Sequence, residues 1–140
     1  MKKIALLIAI VILIKLCPSN DGVKFGGATG NYSFYLGSAS STCEIVTVDA
    51  ESADEVKKNL NNVCGESLST TDGDYIRKKI TEYGATFLFE ENVDGTTVRY
   101  YYSPEIGGGK TVNGKKVNLQ TAESENGCYT IGTPLIFGGF

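Results

Sequence analysis

Residues 111–140 carry two Asn-Gly pairs, Asn113-Gly114 and Asn126-Gly127, and these constrain the fold more than any other feature of the chain. Both residue types accept positive φ, which the two central positions of a type I′ turn require, so each pair predicts a β-hairpin. Between them Val117, Leu119 and Thr121 alternate with Lys116, Asn118 and Gln120, the period-two pattern of a strand with one buried face. Tyr129, Ile131, Thr133 and Leu135 form a second alternating set after the second pair. Leu119 and Ile131 are thereby assigned to the core and Lys116 to solvent. The C-terminal part is an antiparallel sheet.

The same reading extends backwards. Phe87 and Phe89, then Val98, Tyr100 and Tyr102, alternate on either side of Asp94-Gly95, another hairpin pair. Tyr32–Leu36 and Glu44–Val48 read as two further strands, the second covered on both faces because Ile45 and Val46 are both apolar. Two helices lie between. Ser52-x-x-Glu55 has the form of a capping box, followed by an apolar stripe of Ala53, Val56, Leu60 and Val63, with Lys57 and Lys58 outward and Gly65 as the stop. Thr70-Thr71-Asp72 opens the second helix, Ile76, Ile80 and Tyr83 form its stripe, and Gly84 ends it. The order predicts an α+β fold, a mostly antiparallel sheet with two short helices packed on one face.

The N-terminus reads as an address. Lys2 and Lys3 precede eleven apolar residues, Ile4–Ile14, and Lys15 follows. A bilayer span needs about 20 apolar residues, so residues 1–16 are a signal peptide or a membrane anchor with the domain facing outward, membrane-anchored or secreted. Gly-rich residues 17–30 are read as a linker, and 31–140 as a single domain. Setting aside Lys2, Lys3 and Lys15 leaves 10 basic against 16 acidic residues, a net of −6. Such a balance, with no basic stripe, argues against nucleic-acid binding.

Little of the sequence points to catalysis. No histidine exists to serve as a general base or to activate a serine. Gly107-Gly108-Gly109-Lys110-Thr111 resembles a phosphate loop only in part, since Pro104 stands where the first glycine belongs and a hairpin follows instead of a helix. Glu90 and Glu91 are neighbours on a strand and point to opposite faces. No cofactor or metal is expected. Cys17, Cys43, Cys64 and Cys128 lack a C-x-x-C spacing; Cys43–Cys64 is the preferred disulfide, with buried free thiols as the alternative. The strand aromatics are divided between the core and the opposite sheet face, where Tyr101 beside Arg99 would form an interaction surface, and dimer-like packing makes a homo-oligomer a further expectation.

Asn118-Leu119-Gln120-x-Ala122 followed by Thr130-Ile131-Gly132-Thr133-Pro134-Leu135 resembles the end of the YwmB family, exported proteins of Gram-positive spore formers. Thr121 departs from the aliphatic residue expected at its position. The resemblance implies a fold like that of TATA-box-binding proteins and an extracytoplasmic location, without catalytic residues. The expectation is a non-enzymatic, membrane-associated interaction module serving the cell envelope or sporulation, with a protein or wall polymer as partner. Its rival is a hydrolase of novel type using lysine or carboxylate chemistry.

Overall fold

The structure, a computed structural model, describes residues 22–38 and 42–137; the leader and Cys17 lie outside the described residues. Nine strands and two helices follow in the order β1 (Asn31–Leu36), β2 (Glu44–Asp49), α1 (Ala53–Lys58), β3 (Val63–Thr70), α2 (Gly73–Glu82), β4 (Thr86–Val93), β5 (Thr96–Tyr102), β6 (Lys110–Val112), β7 (Lys115–Val117), β8 (Leu119–Glu123) and β9 (Tyr129–Thr133). Seven strands form one sheet in the order β2-β1-β3-β9-β8-β5-β4, while β6 and β7 make a separate hairpin. Every pairing is antiparallel. The expected α+β class is therefore the observed one.

Alternation along the strands divides the side chains between two layers. Tyr32, Phe34, Leu68, Ile131, Leu119 and Tyr101 share one face and pack with Ala53 of α1, Ile76 of α2 and Phe25. A smaller cluster joins Val98, Tyr100 and Ala122 to Val117 of β7 and Ile136 of the C-terminal segment. The second cluster covers only the β8-β5-β4 half of the other face. Leu119 and Ile131 are fully buried and Lys116 is exposed, as their alternation predicts.

The turns follow the sequence unevenly. Asp94 and Gly95 (φ 51° and 87°) and Asn113 and Gly114 (φ 49° and 73°) take positive φ in both positions, the condition for a type I′ hairpin. Asn126-Gly127 does not: only Gly127 turns left-handed, and a longer turn is closed by Ser124 N–H to the Cys128 carbonyl at 2.9 Å. The Asn126 side chain is used inside that turn, accepting from Cys128 N–H.

Five further expectations are corrected. α1 stops at Lys58, Ser52 makes no side-chain cap, and a 3-10 turn at Ala50–Ser52 precedes the helix. Val63 and Gly65 belong to β3, where a Cβ on Gly65 would lie 2.6 Å from the Thr133 carbonyl oxygen, so the close approach of β9 requires glycine. β2 is an edge strand with Ile45 exposed, not a strand covered on both faces. The strand read across residues 117–121 is broken at Asn118, and Asn118 and Gln120 are buried with Leu119. Finally, residues 22–30 form part of the domain, not a spacer: Phe25 is fully buried, and Tyr75 and Tyr83 of the α2 region donate to the Gly26 and Lys24 carbonyls.

Candidate functional site

Two groups of charged side chains sit on the helix face of the sheet. The first is enclosed. Glu66 of β3 pairs with Lys57 of α1 at 3.0 Å, with side chains 3% and 10% exposed. Lys57 Nζ also donates to the Gly22 carbonyl at 2.7 Å, and Lys24 N–H donates to the other Glu66 oxygen at 2.7 Å. Phe25 N–H reaches the Tyr32 hydroxyl beside this pair. Burial, reinforced by the Glu66 carboxylate, pushes the Tyr32 hydroxyl far above its ordinary titration range. Lys57 was expected on the outer face of its helix; the structure turns it inward, because a buried carboxylate needs a charged partner more than the ammonium needs water.

The second group is open. A groove of about 310 Å³ runs between α2 and the strands β5, β8 and β9, lined by Ile76, Arg77, Ile80, Arg99, Tyr101 and Tyr129 among others. α2 lies over part of the sheet face and leaves the β4-β5 strip beyond it uncovered, where Phe87 is 51% exposed with its ring 5.8 Å from that of Tyr101. Arg99 stands at the centre of a cross-strand triad, its Nε 3.0 Å from Glu90 of β4 and a terminal nitrogen 3.1 Å from Glu123 of β8. The Glu123 hydrogen bond, aided by Glu90, raises the guanidinium further. Burial raises the Tyr101 hydroxyl, against the Thr121 hydroxyl and Arg99, which lower it.

This placement corrects the expected interaction surface. Arg99 and Tyr101 do lie together, but on the helix face, and Tyr101 is only 7% exposed. Thr121 faces the same groove. The signal that could have located the groove was the pairing pattern: Glu90 and Arg99 face one another across the Asp94-Gly95 hairpin, and Thr121 is the next partner of Arg99.

The motif residues have structural duties. Asn118, Leu119, Gln120 and Ala122 lie at or on β8, directly beside Gly132 and Thr133 of β9 and Pro134 that follows it. The Asn118 side chain accepts from Ser103 N–H at 2.7 Å and donates to the Ser103 and Gly107 carbonyls. Its own carbonyl receives the Thr133 hydroxyl at 2.7 Å. Gln120 receives Ile136 N–H at 2.6 Å, fixing the C-terminal segment across the sheet. A motif whose polar atoms are all engaged in this way explains a fold and assigns no chemistry.

Cys43 and Cys64 are free thiols. They flank β1 on opposite sides, since Leu36 pairs with Glu44 of β2 and with Val63 of β3. Two strand spacings come to roughly 10 Å, beyond the ~7 Å limit for a disulfide between Cα atoms. The Gly107-Gly108-Gly109 segment leads into the β6-β7 hairpin. Among the described residues no cluster of three Cys, Asp or Glu side chains is arranged to hold a metal ion.

No family model matches the chain, and no curated protein or solved structure matches it either.

Proposed function

We propose that the chain is a non-enzymatic interaction module held on the outer side of a membrane, YwmB-like in its β8–β9 core, and that the groove beside α2 is its partner surface. The observation that carries this reading is the contact of the exposed Phe87 ring on β4 with Tyr101, which lines the groove together with Ile76 and Ile80 of α2. An exposed aromatic over a partly open apolar floor is the composition of a protein-docking site, where aromatic anchors dominate the binding energy. The flanking triad has two carboxylates to one guanidinium. Its occupant is therefore a protein segment with an apolar centre and a basic flank. A fold like that of TATA-box-binding proteins is consistent with an antiparallel sheet bearing helices on one face; a DNA-binding role is not carried over with it, given the net of −6 outside the leader.

The hydrolase alternative finds its most buried lysine–carboxylate pair among the described residues in Lys57 and Glu66, and that pair is closed over by residues 22–26 and tied to their backbone. The envelope or sporulation role is proposed from the resemblance alone.

The test is affinity capture with the full chain and with Phe87→Asp. A partner retained by the native chain, released by added salt and lost with Phe87→Asp supports the reading. Equal capture by both forms overturns it. A reporter fused after Phe140 tests the address separately: activity in an exported form is expected, and cytoplasmic activity refutes it.

A further inference from the structure

The seven-stranded sheet ends in two edge strands, β2 and β4, and only one of them is guarded. A free edge presents unpaired N–H and C=O groups that can template another strand, and proteins blunt it with charges and bulges. β4 has both devices: Glu90 and Glu91 side by side, and a register shift against β5 between Phe87 and Phe89. β2 reads Glu-Ile-Val-Thr-Val-Asp, four uncharged β-branched residues between two terminal carboxylates. Its pairing with β1 runs through all six positions without a shift, so the strand is regular. Among the described residues only β1 pairs with it, and residues 44–48 take part in no backbone hydrogen bond of a turn, loop or cap. Ile45 is 40% exposed.

Register decides what such an edge accepts. Ile45 and Thr47 share the outer face with their partners Tyr35 and Ser33, while Val46 and Val48 share the helix face with Phe34 and Tyr32. A second copy meets this edge antiparallel about a two-fold axis normal to the sheet, and side chains of matching face oppose one another when that axis passes through a residue. An axis through Val46 sets Val46 against its own copy, Ile45 against Thr47 and Val48 against Glu44, so β-branched side chains meet on both faces. The two Glu44 residues then stand ~13 Å apart along the strands, at ~3.3 Å per residue, beyond the ~8 Å screening length. Glu44 and Asp49 point to opposite faces and do not oppose each other. An axis through Thr47 would set Ile45 against Asp49, and one through Ile45 would halve the spacing of the two Glu44 residues.

We infer that β2 is a self-pairing edge, through which two copies of the chain join antiparallel about Val46 into one continuous sheet. The occupant is β2 of the copy and not its β4, because β2 against β4 is a head-to-tail contact that does not close, and the β4 edge is guarded. The ladder spans only residues 44–48, which places the contact among small, concentration-dependent interfaces. An axis normal to the sheet keeps the helices of both copies on the same side. β1 and β3 separate β2 from β9, β8 and β5, so the groove beside α2 stays open in each copy. The dimer therefore offers two grooves at once, and a partner with two matching segments gains avidity without any new contact. That bivalency rests on the groove proposed above; the pairing through β2 does not.

The test is cross-linking of the full chain in excess detergent micelles, with the native cysteines changed to serine and either Val46→Cys or Thr47→Cys added. Mild oxidation of Val46→Cys should give a covalent dimer, because residues facing across the axis have Cα atoms about 4.5–5.5 Å apart, within disulfide reach. Thr47→Cys is offset by two residues from its copy and should cross-link far more slowly. Adding Ile45→Lys/Thr47→Lys to Val46→Cys sets lysine against lysine at two exposed positions, and should slow the cross-link about tenfold. Phe87→Asp, on the opposite edge, should leave the rate unchanged. A chain with Val46→Cys that stays monomeric at every concentration reached overturns the inference. So does a rate indifferent to the two lysines, a rate abolished by Phe87→Asp, or a faster cross-link through Thr47→Cys. Failure of the groove is read separately: equal partner capture by the native and Phe87→Asp chains, with the Val46→Cys cross-link intact, removes the bivalency and supports the dimer.

Discussion

Two sets of paired charges occupy the same face of the same sheet and meet different fates. Lys57 and Glu66 are shut beneath residues 22–30, while Glu90, Arg99 and Glu123 stand at the edge of an open groove. The chemistry is alike; the cover is not. Over β1 and β3 the sheet has α1, α2 and the Phe25 segment above it, and over β4 and β5 no described residue adds cover beyond the reach of α2. Charge buried under a lid serves the fold, and charge left at a rim is available to a partner. The difference can be broken or sharpened by substitution.

The largest effect should come from the closed pair. Lys57→Met leaves the Glu66 carboxylate buried with no cation, and breaking a buried pair from one side costs about 3–5 kcal/mol. Replacing both, as Lys57→Met with Glu66→Gln, should recover most of that loss, because glutamine still accepts from Lys24 N–H while carrying no charge. Urea denaturation of the three forms checks it. A double variant no more stable than Lys57→Met would mean that the ion pair itself, and not the unpaired charge, dominates this region.

This first contrast also shows why one part of the fold was legible in sequence and another was not. Ala53, Val56, Lys57 and Leu60 follow the i, i+3, i+4, i+7 spacing, so geometry placed Lys57 in the inward stripe while its charge argued for solvent. Its partner sits in β3, Val-Cys-Gly-Glu-Ser-Leu-Ser-Thr, a central strand with scarcely any apolar alternation. Polar residues are tolerated there because each finds a distant partner: Glu66 has Lys57, Ser67 has Tyr35 and Ser69 has Thr130. Partners that lie on other elements, 32 and 61 residues away for Ser67 and Ser69, leave no local pattern. The Asp94-Gly95 and Asn113-Gly114 hairpins were legible because their signal lies within two residues. Arg99 and Tyr101 were found as neighbours but assigned to the wrong face, since alternation says which side chains share a face and not where the helices lie.

Next in size is Leu119→Ala, and Ile131→Ala with it. Both side chains are fully buried between the sheet and its helices. Each truncation should cost about 2–5 kcal/mol in denaturant unfolding, a large share of the ~5–15 kcal/mol typical of a domain. Values below about 1 kcal/mol would show that the helix face is less tightly packed than the covered half of this comparison requires.

At the open rim the expected cost is small. Arg99→Ala removes two ion pairs from a side chain that is 36% exposed, and such pairs contribute about 0–1 kcal/mol. Partner capture should nevertheless change, because the triad flanks Phe87 and Tyr101. Stability lost on the scale of Lys57→Met, with capture unchanged, would make the triad structural and erase the distinction between the two regions.

The smallest effect is expected at Lys116, on the hairpin outside both regions. Its ammonium lies 5.9 Å from the centre of the Tyr102 ring and has no carboxylate partner among the described residues. Lys116→Ala should therefore leave stability within about 0.5 kcal/mol, the usual range for surface changes. An exposed cation–π contact adds at most ~0.5–1 kcal/mol to the loss. Lys116 and Leu119 lie three residues apart on either side of the break at Asn118, so the pair tests register at the point where one strand hands over to the next. A slip of one residue there would exchange the buried and exposed faces. Lys116→Ala as damaging as Leu119→Ala would refute the assigned register and the grooved face built on it. A stable Lys116→Ala chain keeps the register.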